Sequence, residues 1–104
     1  VVVDDSIVRA STLKKLIKLL RKFGAKNIHA AISCPPYKYS CYLGIDTAET
    51  ERLIANEKTI EEIRDFIGAD SIHYLSKNGM LDNKHLKGEF CTYCFDGEEI
   101  IKKE

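Results

Sequence analysis

One stretch constrains the fold more than any other: Val1-Val2-Val3-Asp4-Asp5-Ser6-Ile7-Val8-Arg9-Ala10-Ser11-Thr12. Three consecutive valines favour a buried strand, because β-branched side chains suit a pleated surface better than a helix. Two adjacent carboxylates close that strand, a short loop follows, and an amphipathic helix begins. In open parallel α/β sheets, ligands bind outside the carboxyl ends of strands. The start of the next helix offers unpaired backbone N–H groups and a positive dipole end to a phosphate. A carboxylate pair can accept hydrogen bonds from sugar hydroxyls or hold a hard cation such as Mg²⁺ through oxygen. An ordinary strand–turn–helix with acidic turn residues is the plainer reading of the same pattern.

Further along, the periodicity continues an α/β pattern. Val1–Asp5 reads as a strand, and Ser11 or Thr12 as the cap of the helix after it. Leu13, Leu16, Ile17, Leu20 and Phe23 recur at helical spacing with Lys and Arg between them, and Gly24 supplies the stop. Asn27–Ser33 reads as a second strand, which makes a βαβ unit with parallel strands. Cys34-Pro35-Pro36 ends it, and an aromatic-rich loop runs to Gly44. Thr47–Asn56 reads as a short helix. Thr59-x-x-Glu62 is a capping box opening a third helix, with Ile60, Ile63, Phe66 and Ile67 inward and Gly68 at its end. Ser71–Leu75 reads as a strand, Ser76–Leu81 as a helical turn and Asn83–Glu89 as a polar loop.

The chain is one small domain or a piece of a larger one, and at 44% hydrophobic residues it can bury a core. The absence of an initiator Met and the start inside a strand point to a piece. Nothing is apolar enough to span a membrane, and no signal peptide opens the chain, so a cytoplasmic setting is expected. Net charge is zero but unevenly spread: half of the 16 Lys and Arg, and no acid, lie between Ser6 and Ile45. A basic first half suits an anionic ligand. Lys14, Lys15, Lys18, Arg21 and Lys22, however, share one short helix and read better as its solvated face. Aromatics do not interleave with them, which argues against nucleic acid.

Four cysteines without a secretion signal argue against a disulfide scaffold and raise metal ligation. Cys91-x-x-Cys94 is a chelating pair, and Cys41 lies in a loop that could meet it. From the residues alone, structural zinc leads, although Cys34-x6-Cys41 is a wide spacing for it. A dithiol redox pair and a set of incidental core cysteines stay open.

The opening motif resembles the ribose-phosphate signature of type I phosphoribosyltransferases, most closely the Val-Asp-Asp-Ser-Ile-Val-Arg-Gly-Thr-Thr of the amidophosphoribosyltransferase family. Asp4–Arg9 match it residue for residue, with Ala10 in place of Gly and Ser11 in place of Thr. The resemblance continues through Ser33-x-Pro35-Pro36-x-Lys38-Tyr39-x-Cys41-Tyr42-x-Gly44-Ile45-Asp46, through Ile63-Arg64-x-Phe66-Ile67-Gly68-Ala69-Asp70-Ser71, and through Phe90-Cys91-x-x-Cys94-Phe95-x-Gly97. It implies that residues 1–104 are the C-terminal part of a type I phosphoribosyltransferase domain. It implies a transferase making 5-phosphoribosylamine from 5-phosphoribosyl diphosphate (PRPP) and glutamine-derived ammonia, the first committed step of purine synthesis. PRPP would be bound by Asp4, Asp5, Val8, Arg9, Ala10, Ser11 and Thr12, with Mg²⁺ on Asp4 and Asp5. A [4Fe–4S] cluster would take Cys41, Cys91 and Cys94, its fourth ligand lying upstream of Val1, with Cys34 a buried bystander. No residue of the 104 would be catalytic in itself, and the isolated piece would be inactive. The full-length form would be a homo-oligomer. A non-catalytic PRPP-binding regulatory module and a zinc-stapled α/β domain are the alternatives.

Overall fold

The computed structural model describes residues 1–44, 52–82 and 90–98. The expected βαβ unit is there: β1 (Val2–Asp4), α1 (Ser11–Lys22) and β2 (His29–Ile32), followed by α2 (Ile54–Glu57), α3 (Ile60–Ile67), β3 (Ser71–Tyr74), α4 (Lys77–Leu81) and α5 (Tyr93–Asp96). The strands form one parallel sheet in the order β1-β2-β3, with Val2, Ala30 and Ile72 in one row and Asp4, Ile32 and Tyr74 two rows on, on the same face. Each strand is shorter than its expected span, β1 by two residues, β2 by three and β3 by one. Among the described residues no helix is long and apolar enough to cross a membrane. Residues 47–51 of the expected Thr47–Asn56 helix lie outside the described residues, as does the expected Asn83–Glu89 loop.

α1 and α3 pack on one face of the sheet, where Leu13 and Ile17 of α1 meet Ile63 and Ile67 of α3 in the core. Their stripes are narrower than the periodicity predicts. Leu16 of α1, Phe23 at its C-cap and Ile60 of α3 are exposed, because the fully buried line of each helix runs through one pair four residues apart, Leu13 and Ile17 in α1 and Ile63 and Ile67 in α3. Caps bound the helices. Gly24, at φ 103, ends α1 in a Schellman motif, with its N–H on the Arg21 carbonyl and the Ala25 N–H on that of Leu20. The Thr59–Glu62 capping box is formed in both directions, and the Ser76 hydroxyl accepts from the Gly79 N–H to open α4. Arg21, on the otherwise solvated face of α1, donates to the carbonyls of Lys26 and Gly68 and to Asp70, so it ties α1 to the end of α3.

Candidate functional site

Asp4 and Asp5 stand at the C-terminal end of β1. The Asp4 carbonyl receives both the N–H and the hydroxyl of Ser33, which fixes it to the end of β2. Its side-chain Oδ1 accepts the Asp5 N–H at 2.8 Å. Asp5 is exposed and accepts the Ser6 hydroxyl at 3.2 Å. Both carboxylates therefore keep oxygens toward solvent at a strand end. Two such carboxylates suit Mg²⁺, which holds several waters and takes one or two protein oxygens beside substrate phosphates.

The loop behind them is pinned from below. Ile7 and Ala10 are buried, and the Val8 carbonyl accepts the Ile54 N–H at 2.9 Å. Its exposed rim carries Arg9, Ser11 and Thr12. The expected cap by Ser11 or Thr12 is not formed. Ala10 occupies the cap position at φ 67, ψ 0, and no side chain caps α1. The physical reason is the path of the loop: it turns through the left-handed region just before the helix, which places Ser11 and Thr12 already inside the first turn. The first amides of α1 thus lack an intrahelical partner and a capping side chain.

Ala10 is the one non-glycine with positive φ among the described residues. Glycine would relieve roughly 1 kcal/mol of left-handed strain but would lose a buried methyl worth about 0.8 kcal/mol and loosen the unfolded chain by about 0.7 kcal/mol. Ala10→Gly is therefore expected to change stability by less than about 1 kcal/mol. Ala10→Val, β-branched at the same φ, is expected to destabilise by about 2 kcal/mol or more. Urea unfolding of the two variants checks both values.

The cysteines separate by environment, and no disulfide joins them. Cys41, Cys91 and Cys94 line one cavity of about 190 Å³, together with Tyr42, Leu43 and Tyr93. The Leu43 N–H donates to the Cys41 sulfur at 3.4 Å. Burial raises the Cys94 pKa; a backbone hydrogen bond opposes this, and the neighbouring Cys41 and Cys91 add to the rise. Among the described residues no three His, Cys, Asp or Glu side chains are gathered tightly enough to hold a metal ion. Cys34 lies elsewhere, buried in the main core. Burial first, then Cys94, Asp5 and Asp4, push its pKa up to about 11, so it is a protonated thiol at neutral pH.

One strap connects the acid pair with the thiol cavity. It leaves β2 at Ser33, bound to Asp4, and ends with the N–H groups of Lys38 and Tyr39 on the Cys94 carbonyl. Aromatic contacts close it over α5: Tyr37 against Phe95, Tyr39 against Tyr93, and Tyr42 edge-on to Tyr93 with ring centres 4.8 Å apart. Gly97 belongs to this closure, since its φ is 77 and a Cβ there would lie 3.1 Å from the Tyr39 ring.

Sequence reasoning missed a polar cluster under α5. Asp96 accepts the Thr92 hydroxyl at 2.7 Å and the Lys77 ammonium at 2.9 Å on one oxygen, and the Glu98 N–H at 2.8 Å on the other. Burial opposes its ionisation, but these donors outweigh burial and hold its pKa at about 2. The four-residue spacing of Thr92 and Asp96 on one helical turn was the available signal.

Comparison with known proteins agrees with the arrangement. No family model matches. The chain is 48% identical over 105 residues to amidophosphoribosyltransferase 1, chloroplastic, of Arabidopsis thaliana, covering 98% of this chain and 18% of that protein. It is 46% identical to the amidophosphoribosyltransferase of Synechococcus elongatus, covering 96% of this chain and 20% of that one. The solved glutamine PRPP amidotransferase of Bacillus subtilis, complexed with ADP and GMP, superposes with a TM-score of 0.82 at 42% identity, over 92% of this chain and 22% of that chain. The chain spans about a fifth of the length of the relatives it matches. Over its own length the chain is similar in sequence and in fold to one α/β segment of the amidophosphoribosyltransferases.

Proposed function

We propose that the protein is an amidophosphoribosyltransferase, in which ammonia drawn from glutamine displaces diphosphate from the anomeric carbon of PRPP and leaves 5-phosphoribosylamine, the first committed step of purine synthesis. One observation carries this reading: a solvent-facing acid pair closes a parallel strand beside the uncapped start of a helix, within a chain so similar to these transferases. The Val8–Thr12 loop holds the 5′-phosphate through backbone N–H groups and the Ser11 and Thr12 hydroxyls. Asp4 and Asp5 hold the ribose hydroxyls, and their charge steadies the positive charge that develops on the sugar ring as the bond to diphosphate breaks. Mg²⁺ on the same carboxylates would neutralise diphosphate charge. The reaction needs positioning and charge complementarity rather than a covalent nucleophile from this segment.

The thiol cavity is read as the site of a structural or regulatory [4Fe–4S] cluster, for which Cys41, Cys91 and Cys94 supply three thiolates and the fourth comes from outside these 104 residues. Cys34-x6-Cys41 is a wide spacing for zinc, which favours the cluster.

Glutamine-dependent release of diphosphate from PRPP and Mg²⁺ tests the activity in the intact protein. PRPP binding without release would favour a regulatory module instead. The isolated 104-residue chain is expected to release no diphosphate above background, even with excess ammonia at raised pH. The loop after β2 carries Cys34-Pro35-Pro36 rather than a Gly-rich or basic grip, and Lys77 after β3 is engaged by Asp96. Release by the isolated chain would show that the loop after β1 suffices.

A further inference from the structure

The thiol cavity depends on a helix too short to hold itself. α5 has four residues, far below the length at which a helix persists in water. Two sets of contacts fix it. On one side the strap binds the Cys94 carbonyl. On the other, Asp96 closes back over Thr92, the residue between Cys91 and Tyr93, and is itself seized by Lys77 at the start of α4. Thr92 is the one buried polar residue among those described. Its carbonyl also accepts the N–H groups of Phe95 and Asp96, so both ends of Thr92 are bound while the thiols on either side face the cavity.

The geometry points to Lys77 and Asp96 as positioning residues for the thiol site: the ion pair locks the Cys91–Cys94 turn to the end of the sheet and presents both sulfurs to Cys41. Lys77 touches neither thiol. It acts through Asp96, and Asp96 acts through the Thr92 hydroxyl. This inference rests on the reading of the cavity as a ligand site, but its geometry is separable from the identity of the metal. The Lys77 side chain is 38% exposed, so its replacement leaves the core untouched. Outer-shell partners of this kind change metal retention by about tenfold to hundredfold when removed.

The test uses the intact protein as wild type, Lys77→Met, Lys77→Arg and Thr92→Val, with two readouts. In metal-free protein, phenylarsine oxide captures two neighbouring thiols by forming two As–S bonds and releasing water. Capture is expected to slow about tenfold in Lys77→Met and Thr92→Val and to recover in Lys77→Arg. In protein holding iron and sulfide, loss of the visible chromophore to a chelator is expected to accelerate by a similar factor in the same two variants. Capture at the wild-type rate in Lys77→Met overturns the inference, even if Thr92→Val fails to fold. Wild-type protein without iron or sulfide overturns the cluster reading instead, and the arsenical readout still decides the positioning role.

Discussion

Asp5→Asn is expected to leave the fold intact and to remove most PRPP-dependent turnover, by about a hundredfold or more, the scale on which a single electrostatic partner of a developing charge acts. The fold survives because Asp5 is exposed, lies beyond the last residue of β1 and, among the described residues, has its side-chain hydrogen bond with its neighbour Ser6. An amide oxygen can still accept that hydroxyl. What asparagine cannot supply is the negative charge, on which both the proposed ribose contact and the proposed cation would depend. Asp4→Asn differs in one respect. The Asp4 Oδ1 already accepts the Asp5 N–H, a role the amide oxygen keeps, so its loss reports charge with the backbone turn preserved. Steady-state rates against PRPP and against Mg²⁺ check the prediction. Unchanged kcat and KM for both would remove the acid pair from the site.

The parts of the fold that were legible are those where local chemistry and tertiary position agree. The Gly24 stop and the Thr59–Glu62 box each specify a backbone state that the packed molecule keeps. The valine run forms the expected strand but not a buried one: Val1 is 90% and Val3 73% exposed, because the helices cover only the face that Val2 shares with Ala30 and Ile72. The start of α1 was misread for the opposite reason. Ser11 and Thr12 are good caps by residue type, but the loop between β1 and α1 must clear the buried Ile7 and meet Ile54, and that path puts Ala10 at the cap. Residue preference carries no information about such a path. Residue type does not separate the four cysteines; the resemblance set Cys34 apart as a buried bystander, and in the structure it is the buried one, in the core, while the other three line the cavity. The Lys77–Asp96 pair spans 19 residues, beyond the reach of any periodicity; only its Thr92–Asp96 half leaves a local trace.

Replacing Cys91 or Cys94 by serine is expected to abolish the brown colour of anaerobically prepared protein and its content of about four iron and four sulfide per chain, whereas Cys34→Ser keeps both. The contrast follows from where the sulfurs lie. Cys91 and Cys94 border the same cavity as Cys41, and an alcohol does not replace a soft thiolate on iron–sulfur ligands. Cys34 is 8% exposed and packs with the aliphatic core. Its thiol donates to the Pro35 carbonyl at 3.2 Å, a bond that a serine hydroxyl can also make. Burial, then Cys94, Asp5 and Asp4, raise its pKa to about 11, so it is a protonated thiol at neutral pH. Iron, acid-labile sulfide and visible absorbance on the three variants decide the matter. Loss of colour in Cys34→Ser would make that residue the fourth ligand, and stoichiometric zinc with no iron in the wild type would restore the zinc-stapled domain. Retention of full iron in Cys94→Ser would remove Cys94 from the ligand set, since the substitution takes away its sulfur and leaves its backbone carbonyl, and so the strap, in place.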